Sequence, residues 1–282
     1  MYRPQPVKFN RFIELFGQKE HERREKQLEE IESINDLGGA ALSSLDRYEP
    51  EMLGCYEHNG FMFSEILEFL AFLVDGEWRR FPLPRAEIKD ILCTSRPFFG
   101  KGGLMALSGP TRTQYAGILA IQEANTFPGI LNGLLSLPFE LVLTQSFTFL
   151  SKANAIGRMT RQQARMVNAG DVAETQIADI SAALDDLVSN RFVMGAHSLS
   201  LLVYAEDQKG LNENINAAGS ALSHVGIKYA REEAGIAGSF YAQLPGNFSY
   251  RVRVGDITSR NFAGFSAFHN YPIGQILSLI HI

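Results

Sequence analysis

The beginning of the chain has a helical pattern that changes character along its length. Phe9, Phe12, Ile13 and Phe16 follow the i, i+3, i+4, i+7 spacing of an amphipathic helix, and the run 19–33 is dense in charges of both signs. Mixed charges favour a solvated helix with i,i+4 pairs over a partner-docking or membrane-surface helix. A glycine pair at 38–39 is predicted to end this helix, and a strand-like run is predicted to follow it.

The rest of the chain alternates between strand-like and helical patterns. The predicted elements, in order, are a hairpin of 104–107 with 115–122, a helix to about 136, a strand at 140–150, helices at 151–168 and 171–190, a strand at 197–206, a helix at 211–223 and a strand at 227–231. Two strand-helix-strand passages predict an α+β fold of ferredoxin-like β-α-β units. The sheet is expected to be mixed, with long helices packed on one face. From Gly235 onward the pattern weakens, which predicts a loop-dominated surface.

Composition and charge exclude several classes of protein. The 282 residues are 45% hydrophobic and 20% charged, which is typical of a globular chain rather than a disordered one. A net charge of -5, from 26 basic and 31 acidic residues, argues against direct nucleic-acid binding through phosphate contacts. Cys55 and Cys93 are too few for a disulfide framework and are interpreted as reduced thiols. No apolar run is long enough for a membrane span, so any membrane association is expected to be peripheral.

Catalytic and metal-binding motifs are missing from the sequence. The phosphate-binding pattern GxxxxGK[ST] does not occur, since Gly100-Lys101 is followed by glycine and position 95 is Ser95. The six histidines form no HExxH, HxxxH or Cys/His cluster, so zinc is not expected. No nucleophile elbow is present either. The sequence therefore predicts no catalytic, cofactor-binding or metal-binding residue within this chain.

The most distinctive sequence motifs lie near the end of the chain. They are the segments LPGN at 244–247, SRNFAGF at 259–265 and HNYPIG at 269–274. Pro-Gly is a type II turn signal, and an asparagine or histidine between aromatic residues often fixes a loop by bonding its backbone. These segments, with the run 127–150 upstream, resemble the N-terminal and central region of the CagE/TrbE/VirB family of type IV secretion ATPases. The resemblance covers roughly 61–274, with the segments in order.

The resemblance implies a cytoplasmic ATPase, often hexameric, at the periphery of the bacterial inner membrane. Such an ATPase energises assembly of a secretion channel or conjugative pilus and the passage of DNA or protein. Channel components and neighbouring subunits are the implied partners. The Walker motifs of the family lie C-terminal to the HN-x-P-x-G motif, so binding of ATP and Mg²⁺ is expected only in the full-length protein. This chain is accordingly interpreted as a docking and assembly region truncated before the Walker A motif.

Ten residues are candidates for contacts between domains or subunits. They are Leu244, Pro245, Gly246, Asn247, Asn261, Phe262, Phe265, Phe268, His269 and Asn270. The three phenylalanines recur every third residue, which is compatible with an interdomain seam or with ordinary core packing. His269 is either a contact to a neighbouring domain or a loop histidine with local partners. Two alternatives stay open: a stand-alone adaptor without a motor, and a small-molecule enzyme with a polar pocket around Asn247, Asn261 and His269.

Three segments follow from these predictions. Residues 1–38 form an amphipathic and charged N-terminal helix, and residues 39–276 form the α+β domain. Residues 277–282 depart from the family pattern, resemble translated sequencing adapter and are interpreted as a non-native tail.

Overall fold

The computed structural model describes residues 8–46, 50–109, 112–124, 126–168 and 174–266. The chain divides into two units, 1–53 and 54–282. The first unit contains one long helix, α1 (Lys8–Ser44), whose exposed side chains include i,i+4 pairs such as Arg24 with Glu20. The charged N-terminal helix is therefore confirmed.

The prediction that helix α1 ends at the glycine pair 38–39 was wrong, because the helix continues to Ser44. The strand predicted near Ala41 was wrong for the same reason. Two glycines cost a helix only about 1 kcal/mol each. Ala40, Ala41 and Leu42 follow them directly and are among the best helix formers, so the helix resumes its regular hydrogen bonds.

The second unit begins with a hairpin and a capped helix. Strands β1 (Cys55–His58) and β2 (Phe61–Ser64) pair across Asn59-Gly60, both at positive φ, as a two-residue hairpin turn requires. Helix α2 (Glu65–Asp75) starts at the N-cap Ser64, whose side chain accepts a hydrogen bond from the Leu67 N–H, and ends at left-handed Gly76. A short helix, α3 (Ile88–Ile91), follows.

Within the part of the chain that the structure describes, seven further strands form the main sheet. Their bounds are β3 (Arg96–Phe99), β4 (Met105–Ser108), β5 (Thr113–Glu123), β6 (Leu141–Phe149), β7 (Met194–Ala205), β8 (Lys228–Arg231) and β9 (Gly255–Thr258). The remaining helices are α4 (Lys152–Asn168), α5 (Glu174–Val188), α6 (Gln208–His224), α7 (Ile236–Tyr241) and α8 (Ser259–Gly264). Short 3₁₀ turns lie at 101–103, 132–136 and 248–250.

The four central strands lie in the order β8-β5-β7-β6, and this order confirms the ferredoxin-like units and the α+β class. A mixed sheet was expected, but all pairings among the described residues are antiparallel. The reason is that both strand-helix-strand passages are split, the first of them crossing through the 3₁₀ turn at 132–136 where an α-helix was predicted. Strand β7 separates the parallel strands β5 and β6, and β5 separates β7 and β8.

The two faces of the sheet bury different sets of side chains. Alternate residues of β7, including Leu199, Leu201 and Val203, pack against α6 and the 132–136 turn. The intervening Leu202 and Tyr204 pack against α7 on the opposite face. Helix α6 thus covers one face as predicted, while the six-residue α7 covers the other.

The region after Gly235 is more regular than predicted. Helix α7, strand β9 and helix α8 all lie in this region, and β9 joins the sheet by pairing with β7. Among the described residues, no helix combines the length and the apolar character that crossing a lipid bilayer requires.

Candidate interaction site along strand β6

A groove of about 730 Å³ runs along strand β6 in the second unit. Its walls come from one side of α2, from β6 and from the segment after α7; the lining residues are Phe69, Phe72, Leu73, 141–147, 242–246 and Phe248. None of these lining residues carries a charge. Three sequence-predicted residues, Leu244, Pro245 and Gly246, lie in this wall. The groove therefore offers an apolar surface with backbone and neutral side-chain hydrogen-bonding groups.

The LPGN segment is shaped by its own turn. The N–H of Asn247 donates to the carbonyl of Leu244 at 3.0 Å, and Gly246 has a φ of 82°, as the third residue of a type II turn requires. The side-chain amide of Asn247 donates to the carbonyl of Tyr241 at 2.9 Å. This bond fixes the turn to the end of α7.

Arg251 contacts two residues that line the groove, Ser146 and Phe248, and sequence reasoning missed it. Its guanidinium donates to the hydroxyl oxygens of Ser146 and Thr148 at 3.4 and 3.2 Å and lies over the Phe248 ring. Arg253, two residues later, donates instead to the buried carboxylate of Glu232. The alternation in YRVRV at 250–254 indicates only that the two arginines share one side of an extended segment, because successive residues point to opposite sides, and it does not indicate what they contact.

A second cavity, of about 570 Å³, contains two other predicted residues, Asn261 and Phe265. The imidazole of His197 on β7 stacks on Phe265 at 5.2 Å between ring centroids and meets Phe262 edge-on at 5.9 Å. Burial lowers the pKa of His197 to about 4, so its ring is neutral at pH 7. Asn261 donates its N–H to the Thr258 hydroxyl, which caps α8.

The structure thus separates the candidate residues into two groups. Leu244–Asn247 lie beside the groove, while Asn261, Phe262 and Phe265 surround His197 at the other cavity. Strand β6 links the two places, since Gln145 lies 3.4 Å from the His197 ring nitrogen. The other three candidates, Phe268, His269 and Asn270, lie outside the described residues.

The charged groups around the second cavity are paired with one another. Arg158 contacts Asp256 at 2.6 Å and Lys228 contacts Glu123 at 2.6 Å. Across the described ranges, no group of three or more His, Cys, Asp or Glu side chains is arranged to hold a metal ion. The two places therefore offer packing surfaces and hydrogen-bonding groups, which suit the binding of another polypeptide.

Comparisons with known proteins agree on one family. Residues 51–253 match the model of the CagE, TrbE, VirB family, described as a component of the type IV transporter system. The chain is 44% identical over 254 residues to the type IV secretion system protein virB4 of Bartonella quintana, covering 89% of this chain and 32% of that protein. It is 39% identical over 266 residues to the protein virB4 of Agrobacterium tumefaciens, covering 94% and 33% respectively.

A third relative, the type IV secretion system protein virB4 of Brucella suis, is 35% identical over 299 aligned positions. That alignment covers 99% of this chain and 36% of the relative. The chain accordingly spans about a third of the length of these curated relatives. The family model includes Leu244–Asn247 but not the candidates from Asn261 onward.

Proposed function

The chain belongs to the CagE, TrbE, VirB family of type IV transporter components, and we propose that it is the N-terminal docking region of a secretion ATPase. Its high identity to proteins named virB4 supports this reading. In the proposed role, this region contacts channel components and neighbouring subunits in a homo-oligomer, with a hexamer as the expected state. The proposed location is the cytoplasmic side of the bacterial inner membrane.

Nucleotide chemistry is assigned to the part of the relatives that this chain does not cover. The sequence has no GxxxxGK[ST] pattern, and a phosphate-binding loop of that kind is what cradles the ATP phosphates in such motors. We expect the purified 282-residue chain to release no phosphate from ATP above a mock preparation. Clear turnover by this chain would contradict the assignment.

The uncharged groove along β6 is the observation that carries the docking role. A groove of this kind excludes charged segments, because a buried unpaired charge loses its hydration without compensation. It admits an apolar partner that satisfies the neutral hydrogen-bonding groups along β6. Helix α2, β6 and the LPGN turn, all within the second unit, hold this surface in place.

A charge placed in the groove of the full-length protein tests the proposal. Pro245 is exposed and lines the groove, so Pro245→Lys introduces an ammonium group there without disturbing the core. We expect at least about a tenfold loss of substrate transfer by the secretion system, with the ATP hydrolysis rate of the full-length protein unchanged.

Ser249 offers a matched control, because it is also exposed and does not line the groove. Ser249→Lys adds the same charge four positions away and is expected to leave transfer unchanged. Equal transfer by the wild type and by Pro245→Lys would remove the support for a docking role of this groove.

A further inference from the structure

Strand β6 is the last strand of the sheet on its side, and one of its edges is unpaired within the described residues. The Glu140 carbonyl accepts from the Tyr204 N–H at 3.1 Å, and the Leu150 N–H donates to the Met194 carbonyl at 2.9 Å. Even-numbered residues therefore direct their backbone groups to β7. Because the direction alternates along a strand, the N–H and C=O groups of five residues point outward: Leu141, Leu143, Gln145, Phe147 and Phe149.

This edge lacks the features that usually prevent strand pairing. Strand β6 runs for nine residues in unbroken register with β7, and its sequence LVLTQSFTF has no charge and no proline. Long, flat and uncharged edges are templates for another strand. We call this edge the open margin of the sheet.

The strands on the far side of the sheet differ in each respect. Strands β3 and β8 are four residues long. Strand β3 contains Arg96 and Pro97, and β8 contains Lys228 and Arg231, which are residue types that natural proteins use to block edge pairing. We call these two strands the guarded margin.

The sequence of β6 is complementary to itself in the antiparallel direction. With Gln145 opposite its own copy, Leu143 faces Phe147 and Leu141 faces Phe149 on one side of the sheet. In this register the outward-pointing residues oppose one another, so they form hydrogen-bonded pairs. Phe149, which is 74% exposed in the single chain, would be covered by Leu141 of the second copy.

Charges at the two ends of β6 favour the same arrangement. Glu140 lies just before the strand and Lys152 just after it, and both are exposed. Their hydrogen-bond partners are neutral, namely the Gln114 amide for Glu140 and the oxygens of Val188 and Asn190 for Lys152. Antiparallel pairing about Gln145 places Glu140 of each copy near Lys152 of the other, so the twofold axis gives two such charge contacts.

We propose that the open margin is an interface with a second copy of this chain, in which two β6 strands pair antiparallel about a twofold axis at Gln145. The proposal rests on the proposed assembly with neighbouring subunits and specifies the surface that one such contact uses. The two sheets become one continuous sheet across the axis, as in other isologous interfaces. It is tested with the chain alone, so its outcome is separate from that of the transfer assay.

Cysteine cross-linking tests the register directly. With both native cysteines, Cys55 and Cys93, replaced by serine, Gln145→Cys places two thiols on the axis, where Cα atoms of a hydrogen-bonded pair lie about 5.5 Å apart. We expect disulfide-linked dimers under mild oxidation. The matched control Thr148→Cys lies opposite Val142, so its two thiols are about 20 Å apart and are expected not to link.

Association in solution tests the edge itself. Gln145→Pro removes an outward N–H and leaves the ladder to β7 intact, which an edge strand tolerates. We expect Gln145→Pro to weaken dimerisation at least about tenfold by light scattering, with an unchanged circular dichroism spectrum, and Gln145→Thr to dimerise like the wild type. Phe149→Lys, at an exposed side chain, is expected to weaken it similarly and covers the case in which the proline variant does not fold.

Two results would overturn the proposal. One is a wild-type chain that stays monomeric at every concentration tested. The other is a dimer that survives Gln145→Pro and Phe149→Lys, or that links equally through positions 145 and 148, since its interface would then lie elsewhere.

Discussion

The guarded margin of the sheet blocks pairing with another strand, whereas the open margin leaves its edge available for such pairing. At the guarded margin, short strands with arginine, lysine and proline expose few pairing groups and surround them with charge. At the open margin, nine uncharged residues keep unbroken register with β7, and five of them direct unpaired backbone groups outward. A sheet with one blocked edge and one available edge can grow in a single direction only.

The difference also shows where each margin obtains its stability. Directly after β8, the buried carboxylate of Glu232, whose side chain is 3% exposed, pairs with Arg253, whose side chain is 39% exposed. The open margin depends instead on aromatic packing, since Phe147 contacts Phe149 and Phe262 at 5.3 and 4.8 Å between ring centroids. Perturbations of charge, acidity and volume should therefore act differently on the two margins.

Removing the buried charge at the guarded margin should have the largest effect. Glu232→Gln removes the charge-assisted hydrogen bond between the buried carboxylate and the partly exposed Arg253, which is expected to cost about 2.5 kcal/mol of the free energy of unfolding, measured by urea denaturation. Glu233→Gln is the matched control, because Glu233 is exposed, and should change stability by less than about 0.5 kcal/mol. Equal effects of the two variants would show that the ion pair does not hold this margin.

Acidification should weaken the side of the sheet that lies next to the open margin. Burial lowers the pKa of His197 to about 4, whereas the unfolded chain binds the proton near pH 6.5. Between these values the unfolded state holds more protons, so stability falls as the pH falls. We expect a loss of about 2 kcal/mol between pH 7 and pH 5 that is absent from His197→Gln, as measured by urea denaturation at both pH values. A parallel response of the wild type and the variant would contradict this.

Packing at the open margin should respond to a single added methyl group. A Cβ at Gly195 would lie 2.4 Å from the Phe147 ring, so Gly195→Ala forces the ring to move and should cost about 1.5 kcal/mol. Gly255→Ala, one strand away, meets open space and should cost little. Adding Phe147→Leu to Gly195→Ala should recover part of the loss. If it does not, the strain lies in the backbone of β7 rather than in the ring contact.

The sequence predicted the long helices and strands of this fold and missed several short ones. Strands β6 and β7 and helices α4 and α6 each contain enough residues for a clear period of two or 3.6. Helices α7 and α8 have six residues and β9 has four, which is too short for such a signal. These elements form because the sheet supplies partners that are distant in sequence, as in the pairing of β9 with β7.

The local features of the candidate site could be predicted from the sequence, whereas its long-range contacts could not. The Pro245-Gly246 turn and the role of Asn247 are local, so residue types alone indicated them. The groove itself joins α2, β6 and the segment after α7, which are far apart in the sequence. No local pattern could indicate that Arg251 reaches β6, or that β6 lies at an edge rather than in the middle of the sheet.

The smallest expected effect on stability belongs to the exposed charges that block the guarded margin. Lys228 and Glu123 form a pair at 2.6 Å, but their side chains are 71% and 69% exposed, so Lys228→Thr should cost less than about 0.5 kcal/mol. If Lys228 acts by preventing strand pairing, this variant should nevertheless associate more strongly at low salt in light scattering. A Lys228→Arg control keeps the charge and should not. Unchanged association of Lys228→Thr would mean that the shortness of β8, rather than its charge, keeps this margin closed.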